Sequence, residues 1–509
     1  MHEQFVEPKA LAERRNQQWD RIRRLHHRAY VLIPNRMKGM RTDHALVGSN
    51  SDDWSVGWHD DGERELSYPN ALNTLQLSSG APIMSLEPAV NSYYGATAHP
   101  AVRWPALAGS VDCDVCVVGG GIAGCSVALH LVERGFRVVL VEAQRVGWGA
   151  SGRNGGQALS GVAAGQAAIE GLLDATDARA VWDVTIAGLT LIKERIVKHS
   201  IACDWAHGYM QVALKMRHER ELHAELAMLR DRYGYESVRY MPRDEVRSLL
   251  ATTRYTGALY DSASGHLHPL NYTLGLAAAA AERGVDVFEN TRALSFAPAR
   301  HIEVRTPNGQ VRCRHLALCG NTYLGALAPA LARKILPVAT YIVATESLGA
   351  ERARRLIANN TAVSDMNWVL DYFRLSADTR LLFGGRVSYS ARAPSAAPAA
   401  TRARMLQVFP QLADTRIEYN WGGLVDITLN RAPHFGRLAP NVYFLQGFSG
   451  HGVALAGIGG ALLAQAIAGT AERFDVFARI PHRDFPGGTH LQRPALVLAM
   501  LYYRLRDLL

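Results

Sequence analysis

Three glycines and one acid in the first third of the chain have the spacing of a dinucleotide site. Gly119, Gly121 and Gly124 follow an apolar run and lead into a helical pattern, and a second apolar run ends at Glu142. Such glycines allow a tight turn, a close approach to a pyrophosphate and close helix packing, and the helix N-terminus favours negative charge. Glu142 lies where a carboxylate accepts hydrogen bonds from ribose hydroxyls, and its charge disfavours a 2′-phosphate. The predicted residues of this corner are Gly119, Gly121, Ile122, Ala123, Gly124, Glu142 and Ala143.

A second cluster of small residues, 149–157, comes directly after this corner. A nicotinamide-binding unit would continue into its next strand and helix. Small residues crowded beside a nucleotide site instead suit a backbone that passes close to a larger ring, such as a flavin. The alternative is a mobile surface loop. The predicted ligand-binding residues here are Gly149, Ala150, Ser151, Arg153, Asn154, Gly155, Gly156 and Gln157.

A third stretch, 442–453, again reads as strand, glycine turn and helix. Two such openings far apart in sequence can hold the two ends of one long cofactor. The N-terminus of the second helix would stabilise negative charge on a reduced flavin ring. Glycines interrupt this apolar helix, which favours burial against a sheet over a membrane span. The predicted cofactor residues here, with one from the strand that ends at Cys319, are Gly320, Gly450, His451, Gly452 and Val453.

Composition narrows the class of protein. The chain has 509 residues, room for two or three domains, and a net charge of +9. Its arginines are dispersed and no basic run alternates with aromatics, so we expect no nucleic-acid partner. Six cysteines do not make a disulfide framework, and no secretory signal is visible, so we expect a cytoplasmic protein.

Two local patterns resemble metal or redox sites. Cys113 and Cys116 form a CxxC, but we expect both in one strand, pointing to opposite faces as small core residues. His266 and His268 share a strand face, yet no carboxylate or cysteine completes a metal site. We therefore predict no metal.

The pattern of apolar residues changes along the chain, and it predicts an α/β nucleotide-binding domain and a separate antiparallel sheet. Amphipathic helices are predicted at Asp177–His199 and Arg217–Tyr233, and one strand at Arg312–Cys319. Short alternating segments after residue 336 predict the antiparallel sheet. The predicted divisions are a poorly ordered extension 1–87, nucleotide-binding parts 88–260 and 261–335, a substrate domain 336–420, and a C-terminal nucleotide-binding part with tail 421–509.

Eight short segments, taken together, carry a family likeness. They are 113–121, 149–157, 255–259, 265–271, 371–375, 381–385, 447–453 and 471–475. On these segments the chain resembles the FAD-dependent oxidoreductases of the D-amino-acid oxidase class, which include glycine and sarcosine oxidases. Within that class it is most similar to the bacterial gamma-glutamylputrescine oxidoreductases.

The resemblance implies a Rossmann-like FAD-binding domain of the GR2, or D-amino-acid oxidase, type with an antiparallel-sheet α+β substrate domain. It implies oxidation of a primary amine, gamma-glutamylputrescine as the leading substrate, to an aldehyde with release of ammonia and hydrogen peroxide. Sarcosine-oxidase relatives attach FAD through a cysteine, which is missing from 421–423 here, so we expect non-covalent FAD. Their lysine that promotes reaction with dioxygen is replaced by residues 381–383, which leaves another electron acceptor open. An oligomer is possible.

The predicted catalytic residues are His451, Arg374, Trp421 and Tyr372. Arg374, Arg386 or Arg431 could bind a substrate carboxylate bidentately, or could form structural ion pairs. His451 could tune flavin charge, meet substrate or cap its helix, and the two aromatics could wall the pocket or lie in the core. The alternative functions are a D-amino-acid or N-methyl-amino-acid dehydrogenase, and a flavin-binding protein without turnover.

Overall fold

The computed structural model describes residues 92–388 and 397–486, so the predicted extension 1–87 and the tail lie outside the described residues. The strands are β1 Gly109–Asp112, β2 Val115–Val118, β3 Val138–Val141, β4 Gln157–Ala158, β5 Ala206–Ala213, β6 Val238–Pro242, β7 Gly257–His266, β8 Asp286–Phe288, β9 Ser295–Phe296, β10 Ile302–Arg305, β11 Gly309–Cys313, β12 His315–Leu318, β13 Ile335–Thr345, β14 Ala362–Asp365, β15 Tyr372–Leu375, β16 Leu381–Ser388, β17 Ile417–Thr428, β18 His434–Ala439 and β19 Val442–Gln446. The helices are α1 Tyr93–Thr97, α2 Ile122–Val132, α3 Gln166–Glu170, α4 Ala175–Lys198, α5 Met216–Tyr233, α6 Arg243–Leu249, α7 Pro269–Ala281, α8 Pro329–Ala332, α9 Gly349–Leu356, α10 Ala397–Val408, α11 Gly452–Ile467 and α12 Glu472–Ala478.

A six-stranded sheet of order β18-β19-β12-β2-β3-β8 carries the nucleotide corner. Its neighbouring strands are parallel, except that β18 is antiparallel to β19. Every residue of β2 and β3 is buried, as expected for continuous apolar runs in a parallel sheet that is covered on both faces. Helix α2 follows β2 directly and packs against α11. This arrangement confirms the predicted Rossmann-like domain.

A nine-stranded sheet of order β17-β13-β16-β15-β14-β5-β7-β4, with β6 beside β7, forms the second layer. It is antiparallel apart from the parallel pair β14 and β5. The predicted substrate-domain range 336–420 is too narrow for this sheet, because β5, β6 and β7 come from the range 88–260 and its neighbour, and β17 extends to Thr428. Local alternation reveals a strand but not its partner, so pairings across about 150 residues escape a sequence pattern.

A four-stranded sheet of order β1-β11-β10-β9 lies beside the six-stranded sheet. The predicted single strand Arg312–Cys319 is therefore wrong, because β11 belongs to the four-stranded sheet and β12 to the six-stranded sheet. The break arises because the Asp114 carbonyl accepts both the Arg314 and the His315 N–H, each at 3.0 Å, and turns the chain.

A second bend, at Asp114, overturns the expectation that Cys113 and Cys116 share one strand and point to opposite faces. Cys113 lies before the bend at Asp114, next to β1, whereas Cys116 lies in β2. Both belong to one apolar cluster, because the bend breaks the alternation that would have put them on opposite faces.

The two predicted long helices are confirmed as α4 and α5, within two residues of their expected ends. Asp174 caps α4, since its side chain accepts a 2.8 Å hydrogen bond from the Asp177 N–H. Among the described helices, none is by itself long and apolar enough to cross a membrane, although α11 and α12, bent by 117°, meet the length and composition criteria as a pair.

Candidate active site

One cavity of about 870 Å³ is lined by residues of the six-stranded and the nine-stranded sheets. All three predicted corners open into it. The predicted cofactor residues that line it are Gly119, Gly121, Ile122, Ala123, Glu142, Ala143, Gly149, Ala150, Ser151, Asn154, Gly155, Gln157, Gly320, Gly450, His451, Gly452 and Val453. Gly124, Arg153 and Gly156 do not line it, and their positions are explained below.

The first corner needs glycine for two separate reasons. Gly119 has φ +111°, in the left-handed region, and a Cβ there would lie 2.8 Å from the Cys319 carbonyl oxygen. A Cβ on Gly124 would lie 1.9 Å from the Gly119 carbonyl oxygen. Gly124 therefore serves helix-to-strand packing and never faces the cavity, whereas Gly119 and Gly121 leave the space in which a pyrophosphate would approach the backbone.

Glu142 is fixed at the cavity wall by backbone donors. Its carboxylate accepts 2.7 Å and 2.8 Å hydrogen bonds from the N–H groups of Gly120 and Gln144. Burial, opposed by these two hydrogen bonds, raises the pKa of Glu142. The fixed carboxylate stands where the ribose hydroxyls of a dinucleotide would donate.

The loop 149–157 is held by its own side chains. The Ser151 hydroxyl accepts a 2.9 Å hydrogen bond from the Ile122 N–H, so it caps α2, whose N-cap Gly121 has no side chain. The Asn154 amide donates to the Ala150 carbonyl at 2.9 Å and accepts from the Gly156 N–H at 2.7 Å. These bonds fix the loop as a wall of the cavity and do not fit a free surface turn.

Arg374 and Trp421 donate hydrogen bonds to carbonyls of this loop without lining the cavity themselves. Arg374 is 4% exposed and donates to the carbonyls of Gly155 at 2.8 Å and Leu267 at 2.9 Å. Gly156 has φ +73°, and a Cβ there would lie 2.3 Å from the Leu267 carbonyl oxygen and 2.7 Å from the Arg374 guanidinium, which explains the glycine. The Trp421 indole N–H donates to the Arg153 carbonyl at 3.0 Å. Neither Arg374 nor Trp421 lines the cavity, contrary to their predicted place at the substrate.

Tyr372 does line the cavity. Its ring packs on two glycines, since a Cβ on Gly384 would lie 2.1 Å and one on Gly155 2.7 Å from ring carbons. The ring thus lies between the loop 149–157, which we call the cofactor loop, and strand β16. Burial raises the pKa of Tyr372, so its hydroxyl stays protonated over the physiological range.

His451 stands at the start of α11 in the cavity wall. Its side chain makes no capping hydrogen bond, so the predicted capping role has no support. Burial, with the charge of Arg431, lowers the pKa of His451 to about 4, which leaves the imidazole neutral at pH 7. With the ring neutral, the N–H groups of the helix terminus and the charge of Arg431 are the positive elements at this end.

Sequence patterns missed several cavity residues that come from distant strands. Tyr209 of β5 and Ser364 of β14 are hydrogen-bonded to each other across the parallel strand pair. Asp426 of β17 accepts a 2.8 Å hydrogen bond from the Phe448 N–H, and burial raises its pKa to about 6. The strand pairings that assemble this wall leave no local signal. The missed lining residues include Tyr209, Thr340, Ser364, Trp368, Asp426 and Ile427.

Two arginines line the cavity, at opposite ends. Arg292 lies beside the nucleotide corner, where its charge acts on Glu142. The Arg431 guanidinium lies 5.8 Å from the centre of the Trp368 ring, and its charge acts on His451. The described lining contains no lysine. The side chain of the third candidate, Arg386, is outside the described residues.

A glycine corner, an acid held at the cavity wall by backbone N–H groups, and a second helix N-terminus all face one cavity, which is the arrangement of a dinucleotide-binding flavoprotein. The glycine cradle and the paired helix ends fit FAD. The family model described as FAD dependent oxidoreductase (DAO) matches residues 114–466, and the chain belongs to this family. FAD is therefore its cofactor, and the chain is an FAD-dependent oxidoreductase.

Relatives with curated names cover most of the chain. The gamma-glutamylputrescine oxidoreductase of Escherichia coli (strain K12) is 42% identical over 418 residues, which are 82% of this chain and 98% of that protein. A probable oxidoreductase OrdL of Haemophilus influenzae is 39% identical over 423 residues, covering 82% of this chain and 97% of that protein.

Solved structures confirm the fold class. Glycine oxidase from Geobacillus kaustophilus superposes with a TM-score of 0.59 at 19% identity, covering 70% of this chain and 95% of that one. L-amino acid deaminase from Proteus vulgaris gives 0.62 at 18% identity, covering 74% and 100%. At such identities the likeness is one of fold.

Proposed function

We propose that this protein oxidises the primary amine of gamma-glutamylputrescine to the aldehyde, releasing ammonia and hydrogen peroxide, as a cytoplasmic step of putrescine breakdown. The observation that carries the proposal is the 42% identity over 98% of a gamma-glutamylputrescine oxidoreductase. The cavity supports it, because beyond the cofactor corners it offers aromatic walls and a cation.

FAD, when bound, would supply the redox chemistry by accepting one hydride, which carries both electrons, from the carbon that bears the amine; a proton leaves the nitrogen, and water converts the imine to the aldehyde and ammonia. The chain must hold that carbon beside the ring and exclude bulk water. Tyr372 and Trp368, with apolar residues such as Leu424, form walls suited to this task. An apolar wall lowers the pKa of a buried amine and favours the neutral form from which hydride leaves.

Arg431 is the residue that we assign to the substrate carboxylate. It is the lining arginine remote from the nucleotide corner, and a guanidinium binds a carboxylate bidentately. The Trp368 ring lies beside the guanidinium at cation–π distance. The neutral His451 adds no second cation to the part of the wall that carries Arg431. FAD is held non-covalently in this proposal, since positions 421–423 carry no cysteine.

A second candidate is an amine dehydrogenase that passes electrons to an acceptor other than dioxygen. The described cavity lining has no lysine, and Leu381, Leu382 and Phe383 are buried in β16. A positive group near the ring favours the reaction of reduced flavin with dioxygen through charge stabilisation. Arg431 is the cation that could fill this role in the oxidase.

The test is an anaerobic panel of amines, followed at the flavin absorbance of the purified holoprotein. Gamma-glutamylputrescine should bleach the flavin faster than putrescine or D-alanine does, and air should then restore the colour with one peroxide per turnover. Bleaching by D-alanine or an N-methyl amino acid alone would favour the amino-acid dehydrogenase. Bleaching without reoxidation by air would favour the second candidate, and no bleaching at all a flavin-binding protein without turnover.

A further inference from the structure

Three of the six cysteines meet behind the nucleotide corner, away from the lining of the cavity. Cys113, Cys116 and Cys313 are free thiols in one apolar cluster to which both the four-stranded and the six-stranded sheets contribute. Cys116 is 0% and Cys313 2% exposed, whereas Cys113 is half-buried at the edge. We propose that Cys113 and Cys313 are a dithiol site that hydrogen peroxide converts to a reversible disulfide.

The strand register puts the two residues side by side. Strands β1 and β11 are parallel, with Val111 opposite Val311 and Asp112 opposite Arg312, so the next pair along is Cys113 and Cys313. The Cys113 N–H continues this ladder by donating to the Arg312 carbonyl at 2.9 Å. Neighbouring strands lie about 4.8 Å apart, and disulfides join Cα atoms that are roughly 4.4–6.8 Å apart. The backbone spacing therefore suits the bond.

The two side chains also share a face. Along β11, Val311 and Cys313 are buried and Arg312 between them is exposed. Along β1, Asp112 is exposed, so the alternation carries Cys113 to the face of Val111, which packs on the same apolar cluster. Cys116 approaches from the other sheet, beyond the bend at Asp114.

The thiols are within hydrogen-bonding reach of one another, since Cys313 shares hydrogen bonds with both Cys113 and Cys116. The thiolate is the nucleophile in thiol oxidation. One sulfur of the pair Cys113 and Cys313 attacks peroxide and gains one oxygen as sulfenic acid, and one water leaves. The other sulfur then attacks it, the S–S bond forms, and the oxygen leaves as a second water.

The disulfide would join two strands that lead to the cofactor. Beyond the bend at Asp114, β2 leads to Gly119, and beyond the bend at Arg314, β12 leads to Gly320; both glycines line the cavity. A link across so long a loop restricts the unfolded chain. We therefore expect the oxidised holoprotein to have a higher melting temperature and to release FAD more slowly than the reduced form.

The experiment treats the reduced holoprotein with a small molar excess of hydrogen peroxide and maps its peptides without reduction. We expect two of the six thiols to disappear, a peptide pair linked through Cys113 and Cys313, and full reversal by dithiothreitol. Cys116→Ser should still form the link, whereas Cys113→Ser and Cys313→Ser should not. Cys203→Ser, at a buried thiol outside the cluster, is the matched control and should behave as wild type.

Three results would overturn the proposal: all thiols surviving, oxidation of Cys313 to sulfinic acid without a link, or a link between Cys116 and Cys313. Mapping the wild-type protein decides the matter even if a variant fails to fold. Peroxide is added as a reagent, so the outcome does not depend on whether the chain acts on gamma-glutamylputrescine.

Discussion

The two ends of the cavity are built in different ways. At the nucleotide end, backbone N–H groups, glycines and one acid from the neighbouring stretches 119–124 and 142–157 form the wall. At the other end, the side chains of Tyr209 and Ser364 come from two strands far apart in the chain, and that of Arg431 comes from the loop between β17 and β18. Backbone geometry therefore shapes the nucleotide end, and side chains shape the other end, where we propose that the substrate binds. Changes at the first end should abolish FAD binding, and changes at the second should redirect specificity.

Gly124→Ala should have the largest effect at the nucleotide end. The new methyl group would lie 1.9 Å from the Gly119 carbonyl oxygen, which belongs to the rigid corner. Overpacking at a backbone atom should cost about 3 kcal/mol or more. We expect protein with little or no bound FAD, measured by the ratio of flavin to protein absorbance.

Gly457→Ala in α11 is the matched control. A Cβ there meets its nearest neighbour, the flexible end of Arg195, at 3.4 Å, and alanine favours a helix over glycine by about 1 kcal/mol. This variant should keep its FAD. If both variants lost FAD to the same extent, the requirement for glycine at position 124 would not be specific to the nucleotide corner.

Arg431→Met should have the largest effect at the substrate end. A hydrogen bond to a charged group is worth about 1.5–3 kcal/mol, which corresponds to roughly a 10–100-fold rise in KM for gamma-glutamylputrescine. Putrescine lacks the carboxylate, so its turnover should hardly change. Arg431→Lys should lie between the two because it keeps the charge without the bidentate geometry. An equal loss with both amines would remove Arg431 from carboxylate binding.

His451→Gln should change the acid stability of the holoprotein. The unfolded chain binds a proton at His451 below about pH 6.5, whereas the folded protein binds it only near pH 4. The unfolded state thus holds more protons in that interval, and His451 destabilises the fold as pH falls through it. Between pH 6.5 and 4 the variant should lose less stability than wild type in urea titrations, with no such divergence above pH 7. His207→Gln, at an exposed side chain, should follow wild type.

Trp421→Phe should have the smallest effect. It removes the indole donor to the Arg153 carbonyl behind the cofactor loop, at a cost of about 1–2 kcal/mol. The melting temperature should fall slightly and KM should stay unchanged. Trp368→Phe, in the cavity wall beside Arg431, should show the reverse pattern. A raised KM in Trp421→Phe would instead support the prediction that Trp421 contacts the substrate.

The same contrast decided what the sequence could predict. Gly124 and Glu142 act on Gly119 and Gly120, in the same strand-turn-helix-strand unit, so their spacing alone locates the first corner. Tyr209 meets Ser364 through a parallel pairing across 155 positions, which no local period encodes. The prediction that Arg374 meets substrate rests on its being an arginine on the right sheet, but Arg374 is buried and donates to three carbonyls, one of which, that of Gly155, belongs to the loop 149–157.

Strand β4 pairs with β7, so the cofactor loop runs without interruption into the nine-stranded sheet. A coenzyme bound on that loop needs both sheets to be folded and does not bind the unfolded chain. Such a ligand stabilises the folded state by mass action. The amount of intact enzyme in a growing cell should therefore follow its supply of riboflavin.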